Sequence, residues 1–253
     1  MSQRILWTAA LAAAFVLGAC AGSADEKGEA KMFEKDLIDT DADPLEITLI
    51  GHGTLMFEFA GKVVHVDPWT NLADYADLPK ADLLLVTHDH RDHLDPEAIA
   101  LVRKEGTVVM APEKCAPRIP GAEVIGHGDV REALGIQVEA VPAYNIVHKR
   151  PTGEPFHPKG EGNGYVLTFG GKRVYVAGDT EDIPEMRALQ GIDVAFLPMN
   201  LPYTMTPAMV ADAARAFRPR ILYPYHYGKT DTGELVALLE GEKDIEVRIR
   251  KMD

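Results

Sequence analysis

Cysteine is almost missing from this 253-residue chain, with only Cys20 and Cys115 present. That scarcity excludes a disulfide-stapled fold, and no Cys-x-x-Cys pair offers a thiolate metal site. Cys115, in a proline-rich connection, reads as a structural or free thiol. Basic residues are few beside acidic ones, 26 against 39, for a formal net charge of −13. No basic stripe interrupts that acidity, so no nucleic-acid partner is expected. A phosphate cradle is also lacking. Gly228-Lys229-Thr230 looks like the end of a P-loop, but Tyr223 stands where its first glycine belongs. Gly160, Gly162 and Gly164 neither follow a strand nor open a helix, which excludes a dinucleotide fingerprint. Short-period repeats are absent. A long apolar run occurs only at residues 5–17, too short to span a bilayer.

That run still carries information. Arg4 precedes it, and it ends in Leu17-Gly18-Ala19-Cys20, which resembles a bacterial lipobox. The expectation is a signal peptide over 1–19, a lipidated Cys20 opening a flexible tether over 20–43, and one folded domain over 44–253. The membrane partner is then a lipid anchor at Cys20. With Ala21 and Gly22 following and no Asp there, the expected location is the periplasmic face of an outer membrane. Apolar residues make up 46% of the chain, enough to fill a core.

From residue 46 onward, strand signals come in pairs, at 47–50, 55–59 and 63–67, with Gly61-Lys62 as a hairpin turn. A buried strand at 81–86 follows. Asp95 then caps a helix that Pro96 opens. Short strands are expected at 107–110, 123–125 and 136–141. The second half repeats the plan. Strands at 164–169 and 172–177 flank Gly170-Gly171, and a short helix covers 183–190. A strand at 194–197, a Thr206-capped helix to Phe217, a strand at 221–223 and a helix at 234–239 complete it. Periodicity by itself supports a mixed α/β fold.

The densest chemistry is Thr87-His88-Asp89-His90-Arg91-Asp92-His93, directly after the apolar Leu83-Leu84-Leu85-Val86. Histidine is rare, and three imidazoles with carboxylates between them form a mixed nitrogen and oxygen shell for a metal. In extended backbone His88 and His90 would project to one side and share one ion. Asp92 and His93 would reach a second.

This loop resembles that of the metallo-β-lactamase superfamily of metal-dependent hydrolases. The likeness extends over most of the chain. "ITLIGHGTLMFEFAGKVVHVDPW" resembles the opening hairpin of the branch containing L-ascorbate-6-phosphate lactonase and N-acylphosphatidylethanolamine phospholipase D. Gly178-Asp179-Thr180 matches the family's G-D-T, and Pro224-Tyr225-His226-Tyr227 its late histidine. The resemblance implies a four-layer αββα sandwich and two divalent ions, with zinc favoured and manganese or iron also compatible. It implies that Asp179 bridges the ions and that His226 joins Asp92 and His93 on the second. Where many relatives have a histidine, this chain has Asn145. His157 is the preferred third ligand of the first ion, with His148 as the alternative. His52 and Asp67 fall near the site in the related branch, Asp67 as a possible orienter of a ligand and His52 as a substrate contact. His65 reads as structural, and His127 has no assigned role.

The implied activity is hydrolysis of a small-molecule ester, lactone, amide or phosphodiester by a metal-bound hydroxide, with Asp92 and His52 as the catalytic pair. The alternative is a non-catalytic metal- or ligand-binding lipoprotein on the same fold. Loss of a second-metal ligand would favour it, and none is lost. Antibiotic β-lactamase activity is disfavoured, since no cysteine lies near His226 or Gly178.

Overall fold

The computed structural model describes residues 32–252. Its strands form two seven-stranded sheets, each running in sequence order from one edge to the other. The first holds β1 (Glu34–Ile38), β2 (Leu45–Gly51), β3 (Thr54–Phe59), β4 (Lys62–Val66), β5 (Leu83–Leu85), β6 (Val108–Ala111) and β7 (Glu123–Val124). The second holds β8 (Val130–Ala133), β9 (Ile136–Ala143), β10 (Gly162–Phe169), β11 (Lys172–Val176), β12 (Val194–Pro198), β13 (Ile221–Tyr225) and β14 (Glu246–Val247). Each sheet starts antiparallel and turns parallel, from β4 in the first and from β11 in the second. The repeated plan of the sequence is therefore a repeated topology.

Strand periodicity sorts the core. Leu83 and Leu85 face the second sheet, while Leu84 and Val86 face outward with Ala98, Ile99 and Val102 of α1 (Pro96–Val102). Phe57 meets Phe169 and Phe196 across the interior. On the far side, Tyr175 packs on Phe217 of α3 (Pro207–Phe217), beside α2 (Pro184–Arg187) and α4 (Thr232–Leu239). Helix, sheet, sheet and helix are stacked in that order, the expected αββα sandwich.

Two expectations need correction. The tether does not extend to residue 43, because Glu34–Ile38 pairs antiparallel with β2. Its sequence EKDLI shows little alternation, and only Ile38 is buried, so no periodic signal marks it. The helix expected over 183–190 is the single turn Pro184–Arg187. The expected signal peptide and the expected anchor at Cys20 lie outside the described residues. Among the described residues no helix is long and apolar enough to cross a membrane.

Candidate metal centre

The chemistry gathers where parallel strands end. Asp67 follows β4, the histidine-rich loop follows β5, Asp179 follows β11 and His226 follows β13. The loop after β5 is not extended, contrary to the expectation for His88 and His90. It folds into a turn in which the N–H groups of His93 and Leu94 donate to His90 O at 3.0 and 2.7 Å. Curling brings all three imidazoles inward. Asp95 fixes the exit of the loop: its Oδ1 caps α1 and its Oδ2 accepts from Thr70 N and Oγ1.

Two four-residue candidate ligand sets result, beside a smaller overlapping group of Asp67, His88 and His93. His88, His90, His157 and Asp179 form one, and His52, Asp92, His93 and His226 form the other. Asp179 joins them. Its Oδ2 is 3.1 Å from His157 Nε2, 3.8 Å from His88 Nε2 and 3.6 Å from His226 Nε2, and its Oδ1 is 3.6 Å from His93 Nε2. Asp92 Oδ2 lies 2.9 Å from His52 Nε2 and 3.5 Å from His226 Nε2.

Acceptors behind the rings set their orientation. His93 Nδ1 donates to Asp67 Oδ2 at 2.8 Å. His88 Nδ1 donates to the Thr87 hydroxyl at 2.9 Å, which in turn donates to Asp67. His157 Nδ1 donates to Asn145 Oδ1. An acceptor at Nδ1 puts the proton there and leaves the Nε2 lone pair facing the site, as metal-bound imidazoles require. Asn145 thus orients the ring of His157, the preferred candidate ligand. The role of Asn200, whose carboxamide lies 3.2 Å from His226 Nδ1, left no mark in the sequence.

The donor atoms fit a cation. His88 Nε2, His157 Nε2 and Asp179 Oδ1 are buried and make no hydrogen bond. Three such orphans at one point are costly unless an ion meets them. Electrostatics agree. Burial opposes charge on His93, but Asp179 and Asp67 outweigh it and raise that imidazole to about 9. Burial also raises the Asp92 carboxyl, yet His226 and His52 more than reverse this and hold it ionised. Burial holds His88, His90 and His52 below the ordinary imidazole value, so those rings keep free lone pairs.

The backbone is held under strain here. His52, Asp67 and His226 all have left-handed φ, at 51°, 47° and 45°, a conformation costly for residues with a Cβ. Gly53 lets the two histidines close in: a Cβ there would stand 2.6 Å from His93 Cε1. His52 lies over His226, ring centroids 3.7 Å apart.

The remaining histidines serve elsewhere. His148 Nδ1 binds Glu181 at 2.6 Å and stays outside both ligand sets. His65 is buried with Nε2 donating to Pro79 O, a structural role. His127 donates to Gly162 O at the start of β10. Cys115 is a buried free thiol, pushed up to about 12 by burial.

Two clefts open on the centre. One of about 580 Å³ borders His88, His90, His157 and Asp179, and one of about 450 Å³ borders Asp92, Asn200, Tyr203 and His226. Arg150 and Phe156 line both.

Comparison with known proteins places this geometry. The family model described as a beta-lactamase superfamily domain matches residues 46–226. A Thermococcus onnurineus protein described as a UPF0173 metal-dependent hydrolase is 32% identical over 72% of this chain and 84% of its own. A Pelotomaculum thermopropionicum protein of the same description is 28% identical over 81% of this chain and 96% of its own. Among solved structures, a Parabacteroides distasonis protein provisionally described as a metal-dependent hydrolase is 48% identical, with a TM-score of 0.84. That match covers 88% of this chain and 100% of the other. A metallo hydrolase of Ignicoccus hospitalis is 26% identical with a TM-score of 0.68, covering 82% and 95%. The matched span runs from the strand before His52 to His226 itself, so the chain belongs to the metallo-β-lactamase superfamily.

Proposed function

We propose that the protein is a metal-dependent hydrolase with two divalent ions held at this centre. The observation that carries the reading is the convergence of buried, hydrogen-bond-free His88 Nε2, His157 Nε2 and Asp179 Oδ1. His88, His90 and His157 would hold one ion, Asp92, His93 and His226 the other, and Asp179 both. The donor set of imidazole and carboxylate suits zinc, and manganese or iron would also be compatible. When bound, such ions supply Lewis acidity and lower the pKa of a water into the neutral range. The protein's part is orientation and proton handling. Asp67 and Asn145 fix the rings of His93 and His157. Asp92, held ionised, is the candidate proton acceptor, and His52, 2.9 Å away, can pass that proton on towards solvent. The bond cleaved is an ester, lactone, amide or phosphodiester in a small molecule.

Metal analysis of reconstituted protein should give two ions per chain, and chromogenic esters and phosphodiesters should identify the bond. A stoichiometry that stays at one or below defeats the binuclear reading.

We also propose export and lipid anchoring at Cys20, on the motif Leu17-Gly18-Ala19-Cys20. Cys20→Ala should lose acyl labelling and leave the membrane fraction. A variant that remains labelled and membrane-bound would refute it.

A further inference from the structure

Arg150 is the side chain that lines both clefts without being a candidate ligand or an aromatic. Its guanidinium has no carboxylate within ion-pair distance among the described residues. Lys114, the other cation beside the first cleft, is already neutralised by Glu161 at 2.6 Å and Asp89 at 3.3 Å. Arg150 is held instead by uncharged groups. Its Nη2 donates to Phe156 O at 3.2 Å, and its guanidinium carbon sits 5.2 Å from the Phe156 ring centroid.

The segment that carries Arg150 is pinned. Arg150 N donates to Glu154 O, Gly153 N donates back to Arg150 O, and Lys149 bridges Pro155. The closed turn leads directly through Phe156 to the candidate ligand His157. The cation is therefore delivered by the same hydrogen-bonded turn that leads to a candidate ligand, so its backbone is fixed relative to the centre.

Its position is electrostatically unusual. Arg150 Nη2 lies 3.5 Å from His90 Nε2, at the rim of a centre built to take cations. A fixed, unpaired positive charge beside such a centre is repelled unless an anion sits between them. A guanidinium presents parallel N–H donors that match a carboxylate or phosphate.

Resting on the metal-centre reading above, we infer that Arg150 binds an oxyanion on the substrate, so that the hydrolase selects molecules carrying a carboxylate or phosphate beside the scissile bond. The negative group lies between Arg150 and the first metal position, with Phe156 as the flat wall beneath the guanidinium. Neutral esters of the same size lack a partner for this charge and bind less well.

Inorganic phosphate is a sufficient probe, and calorimetry reads its binding without turnover. Full-length wild type, Arg150→Met and Arg150→Lys are to be compared at matched metal content. Arg150→Met should weaken phosphate binding on the order of 10-fold or more, the size of a lost charge-assisted hydrogen bond. Arg150→Lys should fall between, keeping the charge but not the paired donors. Thermal stability should be unchanged in both, since the side chain is exposed. Equal phosphate affinity in wild type and Arg150→Met, or no phosphate binding in either, overturns the assignment. A wild type that takes up no metal yet binds phosphate through Arg150 sinks the metal-centre reading and leaves this one standing.

Discussion

Asn145 accepts from both the backbone N–H and the ring Nδ1 of His157, and its own Nδ2 donates to Glu181 and to Tyr203 O. A short amide therefore fixes the tautomer and the angle of a candidate ligand from twelve residues away. Removing it leaves His157 without the acceptor that sets its ring angle. Asn145→Ala should weaken retention of the first ion about 10-fold or more, the usual cost of losing a partner behind a ligand. His148→Ala should leave it nearly unchanged. Competition with a chelator measures both, and the opposite ranking would return His148 to the centre. The histidine cluster was legible as a dense local pattern beside a strand, whereas Asp179 and His226 entered only through the family resemblance. The service of Asn145 and Asn200 was not legible, because a carboxamide in a loop has no local signature. Only the fold brings Asn200 to His226.

Glu181 shows what one element needs to stay in place. Its carboxylate is buried and accepts from the backbone N–H groups of Ile146, Val147 and His148, as well as from Asn145 Nδ2 and His148 Nδ1. Without it, the bend that follows β9 would leave three donors unsatisfied. Burial pushes this carboxyl up, but the Val147, His148 and Ile146 N–H groups outweigh burial and hold it below its ordinary 4.5. A depressed acid stabilises the fold above its unfolded value. That contribution is complete above about pH 4.5 and is lost as pH falls through the lower folded value. Glu181→Gln removes the charge and turns an amide donor toward donors, so it should cost about 2 kcal/mol at neutral pH. The same change should flatten the acid limb of stability. Denaturant titrations of the metal-free protein from pH 7 to pH 3 test this, and parallel curves for the two proteins would show that the carboxylate is not the anchor. Elements with clear punctuation were readable: Asp95-Pro96 and Thr206-Pro207 do open helices. β1 and β14 were not, since edge strands of five and two residues with exposed faces have no alternation to read.

At the scale of the molecule, the first sheet and the second each contribute part of the centre. The first supplies His52, Asp67 and the loop from His88 to His93, and the second supplies His157, Asp179 and His226. Other ties cross between the same two sheets. Asp36 of β1 accepts from Tyr223 Oη of β13 at 2.6 Å and from Arg250 at 2.8 Å. Tyr165 Oη of β10 donates to Val86 O, at the mouth of the histidine loop. The repetition of the two halves was visible in the order of strands and turns. Their joint ownership of the centre came only from the resemblance, because spacing along a chain does not say which ends meet.

The division of Asp179 and His93 between the two sheets has a consequence for the lifetime of the protein. Ions held as proposed, from both sides, would have to be released before the sheets could part, so folding and ion capture would form one equilibrium. Free ion at 1,000 times its dissociation constant adds about 4 kcal/mol to stability. Chelated protein should melt at a lower temperature and be cut faster in a short protease pulse, with both effects reversed by added ion. Equal melting with and without chelator would mean that no ion binds the folded chain in preference to the unfolded one. Under metal starvation the chain would lose durability along with chemistry, and degradation would remove the empty molecules first.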